Sequence, residues 1–359
     1  VSKLRPKPPI TALETENILQ VAKKMANSRV DAALLLDRAG ALAGILTDND
    51  VTRRVVSQFL DPSGALVQTV MTKQPKCVHA SDSALDALEM MVDNRFRHLP
   101  VLDAEGSVVG LLDIAKCLYD AISVLEKVHG DEGGKGDNTG AVMAQAMTTA
   151  MLQAGAGGGK GNNQAQLQAL QSLMEQMFGG SVPTLRSIIA SSATTKGVPS
   201  VLPTATVAEA SQLMAETRKG ILVMASEREG AAATVLVGIL TPKDVLNRVI
   251  AKDLAPGSTL VSDVMTPNPD CVDADITVLD ALRDMHDHKY LHLPVREMSS
   301  GKVLGIVDVM QLICSTADDG SGAGKGWREF FNGAMNARGD DNSDVVSNSS
   351  SNQGGSVSK

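Results

Sequence analysis

Four separated stretches of this chain recur at a nearly constant spacing, and that recurrence restricts the fold more than any single residue does. GILTDND at 44–50 returns as GILTPKD at 238–244, and LVQTVMTKQP at 66–75 returns as LVSDVMTPNP at 260–269. FRHLPV at 96–101 returns as YLHLPV at 290–295, so three stretches share an offset of 194 residues. GLLDIAK at 110–116 returns as GIVDVMQ at 305–311, displaced by 195. Each half divides again. Gly44 and Gly110 are 66 apart, Gly238 and Gly305 are 67 apart, and each follows a short apolar run and precedes a helical pattern. The chain therefore holds four units in two pairs, at about 8–60, 68–125, 196–254 and 263–316.

One unit can be read for its elements. Between Thr15 and Ser28, apolar residues at Ile18, Val21, Ala22 and Met25 mark one helix face. DAALLLD at 31–37 reads as a buried strand, a turn follows at 38–40, and ALAGIL at 41–46 is a second strand. A second helix is predicted from Asp48 towards Phe59, with Val51, Val55 and Val56 inward. The third unit repeats this as a helix over 206–217, strands at 220–225 and 234–240, and a helix over 242–252. PKCVHA at 75–80 and PDCVDA at 269–274 predict an extra edge strand, which gives each unit a β-α-β-β-α order and an α/β (α+β) fold class.

The domain reading is a first module over 1–125, a linker over 126–181, a second module over 182–316 and a tail over 317–359. The linker is rich in Gly, Ala, Gln and Asn, and GAGGGKGNN at 155–163 is expected to be flexible. Inside it, 164–178 places Leu167, Leu170, Met174 and Met177 on one face of a predicted amphipathic helix. In the low-complexity tail, WREFFNGAM at 327–335 predicts a short docking helix.

Composition excludes several functions. A net charge of −8 argues against a generic nucleic-acid binder, and no apolar run approaches the ~20 residues of a membrane helix. The four cysteines lie far apart with no C-x-x-C, which suits buried spectator thiols in a reducing compartment, the cytoplasm or an organelle. GAGGGKG at 155–161 and GSGAGKG at 320–326 fail the phosphate-loop pattern, since Gly rather than Ser or Thr follows the Lys. His286 and His288 at i, i+2 point to different helix faces, so they read as surface residues and no metal site is expected. No catalytic constellation appears, and the chain reads as a non-enzyme.

The junctions carry the chemistry. Thr47 with Asp50, and Thr241 with Asp244, fit a capping box, and Pro242 sits at a first helical position where its missing N–H costs nothing. A helix N-terminus also offers amides and a positive dipole to phosphate. Caps alone and ligand contacts both satisfy this pattern. In units two and four the junctions are DIAK at 113–116 and DVMQ at 308–311, where Lys116 and Gln311 cannot accept from a ribose diol.

Paired β-α-β-β-α units with G-I-L-T-x-x-D junctions and R-H-L-P-V strands resemble the CBS domain, two of which pack as a Bateman module. The resemblance covers about 250 residues and extends to plant- and alga-type CBS proteins that end in a PB1 domain, although no PB1 sequence is visible. It implies an intramolecular disc of two modules, a pseudo-dimer, with clefts for an adenosine ligand: AMP, ADP, ATP or an S-adenosyl compound, with a role for Mg²⁺ left open. It places a Thr on phosphate and an Asp on ribose, at Thr47, Asp50, Thr241 and Asp244, with one competent cleft in each module. The strand start Arg97-His98, matched at the 66-residue offset by Asp31-Ala32, borders the clefts in the family, so Arg97, His98, Asp31 and His292 join the expected site. Leu291 replaces Arg97 in the second module. The implied role is regulatory, with an unidentified protein partner and a possible homodimer. A scaffold with vestigial clefts, or the regulatory part of a larger enzyme or channel, fits the same residues.

Overall fold

The same capping device opens the first helix of every unit. Asn17, Ser83, Thr206 and Thr277 each accept, through the side chain, the backbone N–H three residues on. That satisfies a donor the helix itself cannot reach. Just beyond each helix the chain reverses through a left-handed residue, Arg29, Arg95, Arg218 or Lys289, with φ between 53° and 61°. The computed structural model describes residues 1–130, 183–191, 197–226, 234–315 and 331–335.

Unit one forms a four-stranded sheet in the order β1 (Ile10–Leu13), β2 (Ala32–Leu36), β3 (Leu42–Thr47) and β4 (Thr72–Lys73). Strand β1 runs parallel to β2 across the helix Ile18–Asn27, whereas β2/β3 and β3/β4 are antiparallel. Unit two is a three-stranded sheet of β5 (Val78–His79), β6 (His98–Leu102) and β7 (Val108–Asp113). Units three and four repeat these sheets with β8 (Ser200–Val201), β9 (Ile221–Ser226), β10 (Thr234–Leu240) and β11 (Thr266–Pro267), then β12 (Val272–Asp273), β13 (His292–Arg296) and β14 (Val303–Asp308). The predicted edge strands are present as β5 and β12. Strands β4 and β11, in the repeated M-T stretches, were not anticipated.

Strand β4 also accounts for the glycine of the junction. A Cβ on Gly44 would lie 2.5 Å from the Met71 Sδ and 3.0 Å from the Thr72 carbonyl oxygen, so only Gly lets β4 close on β3.

The second helix of units one and three departs from the expected uniform winding. Residues Asp48–Asp50 are α-helical, Val51–Val55 form a π turn and Val56–Gln58 a 3₁₀ turn; Pro242–Asp244, Val245–Val249 and Ile250–Lys252 repeat the sequence of windings. The wider π turn places Val51, Thr52, Val55 and Val56 together on the buried side.

Burial organises the units into a ring. Within each pair, sheets face one another: Ala32, Leu34 and Ile45 pack with Val108 and Leu111, and Leu222 and Ile239 with Ile306. Between pairs, helices share cores. The helix Ile18–Asn27 packs on residues 245–252, and the helix Val207–Thr217 on residues 51–58. Units two and four share the other core, where the helix Ile114–Gly130 meets Val278–His288. The first residues of each module cross to its second unit: Leu4 joins the core of unit two, and Leu185 and Ile188 of Leu185–Ser191 join that of unit four. This is the expected intramolecular disc.

Several details correct the sequence reading. Within 327–335, the described residues 331–335 are helical, and Phe331, Ala334 and Met335 are buried in the chain's own core of units two and four rather than presented outward. His286 is not a surface histidine: its side chain is 13% exposed, and its Nε2 lies 3.1 Å from Ser123 Oγ across the module interface. Of the four thiols only Cys117 and Cys314 are buried, and Cys77 is exposed. The predicted helix 164–178 lies outside the described residues. Among those residues no helix is long and apolar enough to cross a membrane.

Candidate functional site

The site begins where β3 and β10 end. Thr47 caps the following turn, and the cap is reciprocal. Asp50 Oδ2 accepts from the Thr47 N–H at 2.9 Å and from its hydroxyl at 2.7 Å, while the Asp50 N–H donates back to Thr47 Oγ1 at 3.2 Å. Thr241 and Asp244 repeat this at 2.9, 2.7 and 3.4 Å. The second carboxylate oxygen is taken by an arginine one turn on. Arg54 Nε lies 3.4 Å from Asp50 Oδ1 and its Nη1 donates to the Val70 carbonyl at 2.7 Å. Arg248 Nη2 lies 3.3 Å from Asp244 Oδ1 and Nη1 donates to the Val264 carbonyl at 2.8 Å. Burial pushes the Asp50 carboxyl up, and Thr47 and Arg54 only partly oppose that. These arginines are thus ion-paired ties between the junction and the connector to the next unit.

Units two and four lack the box, as the sequence indicated. Asp113 Oδ1 accepts from the Ala115 N–H at 3.1 Å, and Asp308 Oδ1 from the Gln311 N–H at 2.9 Å.

The residues ahead of the strands form the second part. Backbone bonds from Asp48 N–H to the Asp31 carbonyl, Ile114 to Arg97 and Val309 to Leu291, each 3.0 Å, show that Asp31, Arg97 and Leu291 hold equivalent places in their units. In unit three Pro242 removes that donor. Arg97 grips Asp113 as a fork, Nε to Oδ1 at 3.1 Å and Nη2 to Oδ2 at 3.0 Å, while Nη2 also donates to Asp31 Oδ2 at 2.5 Å. Lys243, from the junction of unit three, places Nζ 3.0 Å from Asp31 Oδ1. Asp31 is 8% exposed and Asp113 6%, so this is a buried charge cluster drawn from three units.

Its electrostatics follow from burial and neighbours. Burial alone would raise the Asp31 and Asp113 carboxyls. Arg97 overrides it at both, joined by Lys243 at Asp31 and by His98 at Asp113, and holds them below the usual carboxylate range. Asp48, 5% exposed and beside Asp31 without a cation of its own, is pushed up to about 7. Burial, reinforced by the Arg97 charge, lowers His98 to about 4, and burial likewise lowers His292. Both imidazoles are neutral near pH 7. His292 feels the charges of Asp308, Arg97, Asp244 and Asp31, which places it beside both modules' clusters.

The structure therefore gathers Asp31, Arg97 and His98 in one cluster, and sets Thr47 and Asp50 in the adjoining turn through Asp48. Thr241, Asp244 and His292 form the corresponding group of the second module. Sequence reasoning passed over Asp48 and Lys243, whose only signal was their place inside T-x-x-D. Among the described residues no group of three or more His, Cys, Asp or Glu is arranged to hold a metal ion.

Comparisons with known proteins agree with this architecture. The CBS domain profile matches residues 1–57, 67–120, 189–251 and 261–314, more than half of the chain. The CBS domain-containing protein CBSCBSPB3 of Arabidopsis thaliana is 39% identical over 326 residues, covering 90% of this chain and 54% of its own length. The Meiotically up-regulated gene 70 protein of Schizosaccharomyces pombe is 29% identical over 324 residues, covering 85% of this chain and 42% of its own. Protein MJ1225 of Methanocaldococcus jannaschii, a candidate archaeal homolog of g-AMPK, shares the fold at a TM-score of 0.56 and 13% identity, covering 87% of this chain and 98% of its own. The chain spans about half the length of the curated relatives it matches. With four profile matches on four folded units, this chain belongs to the CBS domain family.

Proposed function

We propose that the chain is a non-catalytic regulatory protein that senses an adenosine nucleotide in clefts between paired CBS units and conveys occupancy to a protein partner. Regulation through bound adenosine ligands is typical of CBS-domain pairs. The observation that carries the reading here is the paired junction. In each module one T-x-x-D carboxylate is nearly buried yet held only by a Thr hydroxyl, one backbone amide and a half-exposed arginine. A ribose diol can replace the hydroxyl and guanidinium as donors without leaving the acid unpaired. Arg97 and Lys243, in the adjoining cluster, are the cations that would attract the nucleotide's phosphate.

Thermal unfolding against AMP, ADP, ATP and S-adenosylmethionine, with and without Mg²⁺, tests this. A ligand at one hundred times its dissociation constant adds about 2.7 kcal/mol. Loss of the shift in Asp50→Ala or Asp244→Ala assigns the cleft. A well-folded protein that responds to none of the four ligands sinks the reading.

The closed capping boxes favour a second reading, a scaffold whose clefts are vestigial, because both acids are already satisfied in the absence of ligand. The same titration separates the two.

A further inference from the structure

The structure assigns to Lys243 the coupling of the two modules: it lies inside the candidate nucleotide turn of the second module, and its ammonium is the counter-ion of Asp31 in the first. The assignment of a ligand to that turn rests on the proposed function; the coupling itself rests on geometry.

Asp31 cannot be satisfied from within its own module. Its Oδ2 takes Arg97 Nη2, but that guanidinium is also forked onto Asp113, so one cation serves two buried carboxylates. Asp31 Oδ1 is buried with no hydrogen-bond partner of good geometry, and the Lys243 ammonium at 3.0 Å supplies its charge. Without it the first module would hold Asp31, Asp48 and Asp113 around one arginine. Lys116, half-exposed, lies 3.7 Å from Asp113 and does not reach Asp31 within ion-pair distance.

Lys243 is equally tied to the second module's turn. It stands between Pro242 and Asp244, in the three residues that Thr241 caps. The turn packs on its counterpart Asp48–Asp50 across the module boundary. A ligand that opens the Thr241–Asp244 box shifts the backbone carrying Lys243, and with it the hold on Asp31 and Arg97. In the reverse direction the contact is not repeated. The residue matching Lys243 in unit one is Asn49, whose amide turns back to Asp48 Oδ1, and the residues ahead of β9 are Lys219 and Gly220, with no carboxylate. Among the described residues this ion pair is one-sided, so the second module's junction bears on the first through the Lys243 side chain.

Hydrogen exchange on the whole chain, without ligand, tests the coupling. Thr241→Ala opens the second module's turn and should raise exchange in β2 and β6 of the first module several-fold. Thr206→Ala, a cap in the same unit away from Lys243, should leave them unchanged. In a Lys243→Met background, Thr241→Ala should no longer affect β2 and β6, whereas Lys243→Arg should preserve the effect. Unchanged β2 exchange in Thr241→Ala, the same rise in Thr206→Ala, or a rise that survives Lys243→Met overturns the proposal. A calorimetric titration with AMP runs alongside. Absence of AMP binding counts against the nucleotide reading and leaves the exchange comparison to decide the coupling.

Discussion

Arg97 and Asp113 meet through two parallel hydrogen bonds, at 3.1 and 3.0 Å, in a pocket where Asp113 is 6% exposed. The pair joins the start of β6 to the end of β7, and Asp31 adds a third charge from the neighbouring unit. A buried fork of this kind does little more than offset its own desolvation, but removing one partner leaves an uncompensated buried charge. Arg97→Met leaves two buried carboxylates competing for Lys243 and Lys116, and should destabilise the protein by about 3–5 kcal/mol. Arg97→Lys should recover little, because an ammonium cannot hold Asp113 in a fork while reaching Asp31. Urea unfolding of both variants checks this.

Asp48 and His98 give stability an opposed dependence on pH. An unfolded Asp ionises near 3.8, but burial and the Asp31 charge hold folded Asp48 to about 7. Between those values the folded chain binds more protons, so this group removes stability as pH rises from about 4 to about 7. Asp48→Asn keeps an acceptor for the Asn49 N–H and abolishes the penalty. Its stability advantage over the native chain should grow across that window to a few kcal/mol, at about 1.4 kcal/mol per pH unit at most, and level off above it. His98 acts in reverse. Its unfolded value of 6.5 falls to about 4, so the unfolded chain binds the extra proton and this group adds stability as pH rises from about 4 to 6.5. His98→Asn should flatten the acid limb alone. Melting curves from pH 4 to 9 resolve the two.

The caps are separable from the arginine ties. Thr47→Ala and Thr241→Ala should each lose about 1 kcal/mol, with Ser restoring most of it. Arg54→Met should lose less than about 1 kcal/mol, since its side chain is half-exposed and the ion pair is screened. If a ribose competes with Arg54 for Asp50, the same variant should bind AMP more tightly than the native chain does. Paired melting and calorimetry measure both effects.

Gly44→Ala should cost about 1–3 kcal/mol through overpacking against Met71. Met71→Ala loses its own packing, but the double variant should be more stable than the sum of the two changes, because the added methyl then meets only the Thr72 carbonyl oxygen. A double-mutant cycle in urea tests that excess, and strict additivity would show that β4 does not rest on Gly44.

Much of this was legible in order and spacing. The repeats placed four units, and the 3.6-residue stripe at Ile18, Val21, Ala22 and Met25 named a helix face that is fully buried. Thr47 and Asp50 were readable as a box because a cap is local. What escaped the sequence is what depends on distance. Nothing in T-P-K-D says that Lys243 reaches Asp31, 212 positions earlier. Nothing in T-D-N-D says that Asp48 turns inward while Asn49 stays outside. The segment 327–335 read as an outward docking helix because the core that buries Phe331 is made by units two and four together. Strand β4, at two residues, is too short to leave a period.

The sharing of cores between units one and three has a consequence for synthesis. The apolar face of the helix Ile18–Asn27 is completed by residues 245–252, more than two hundred positions later. At about 5–20 residues per second, a ribosome needs on the order of ten to forty seconds to deliver them. For the later part of that interval the completed first module stands without this cover on its helix, a surface that chaperones recognise and that a second nascent copy could capture by exchange. The gene order of the four units therefore sets a waiting time, and the first half of the protein is exposed to misassembly for as long as the second half takes to be made.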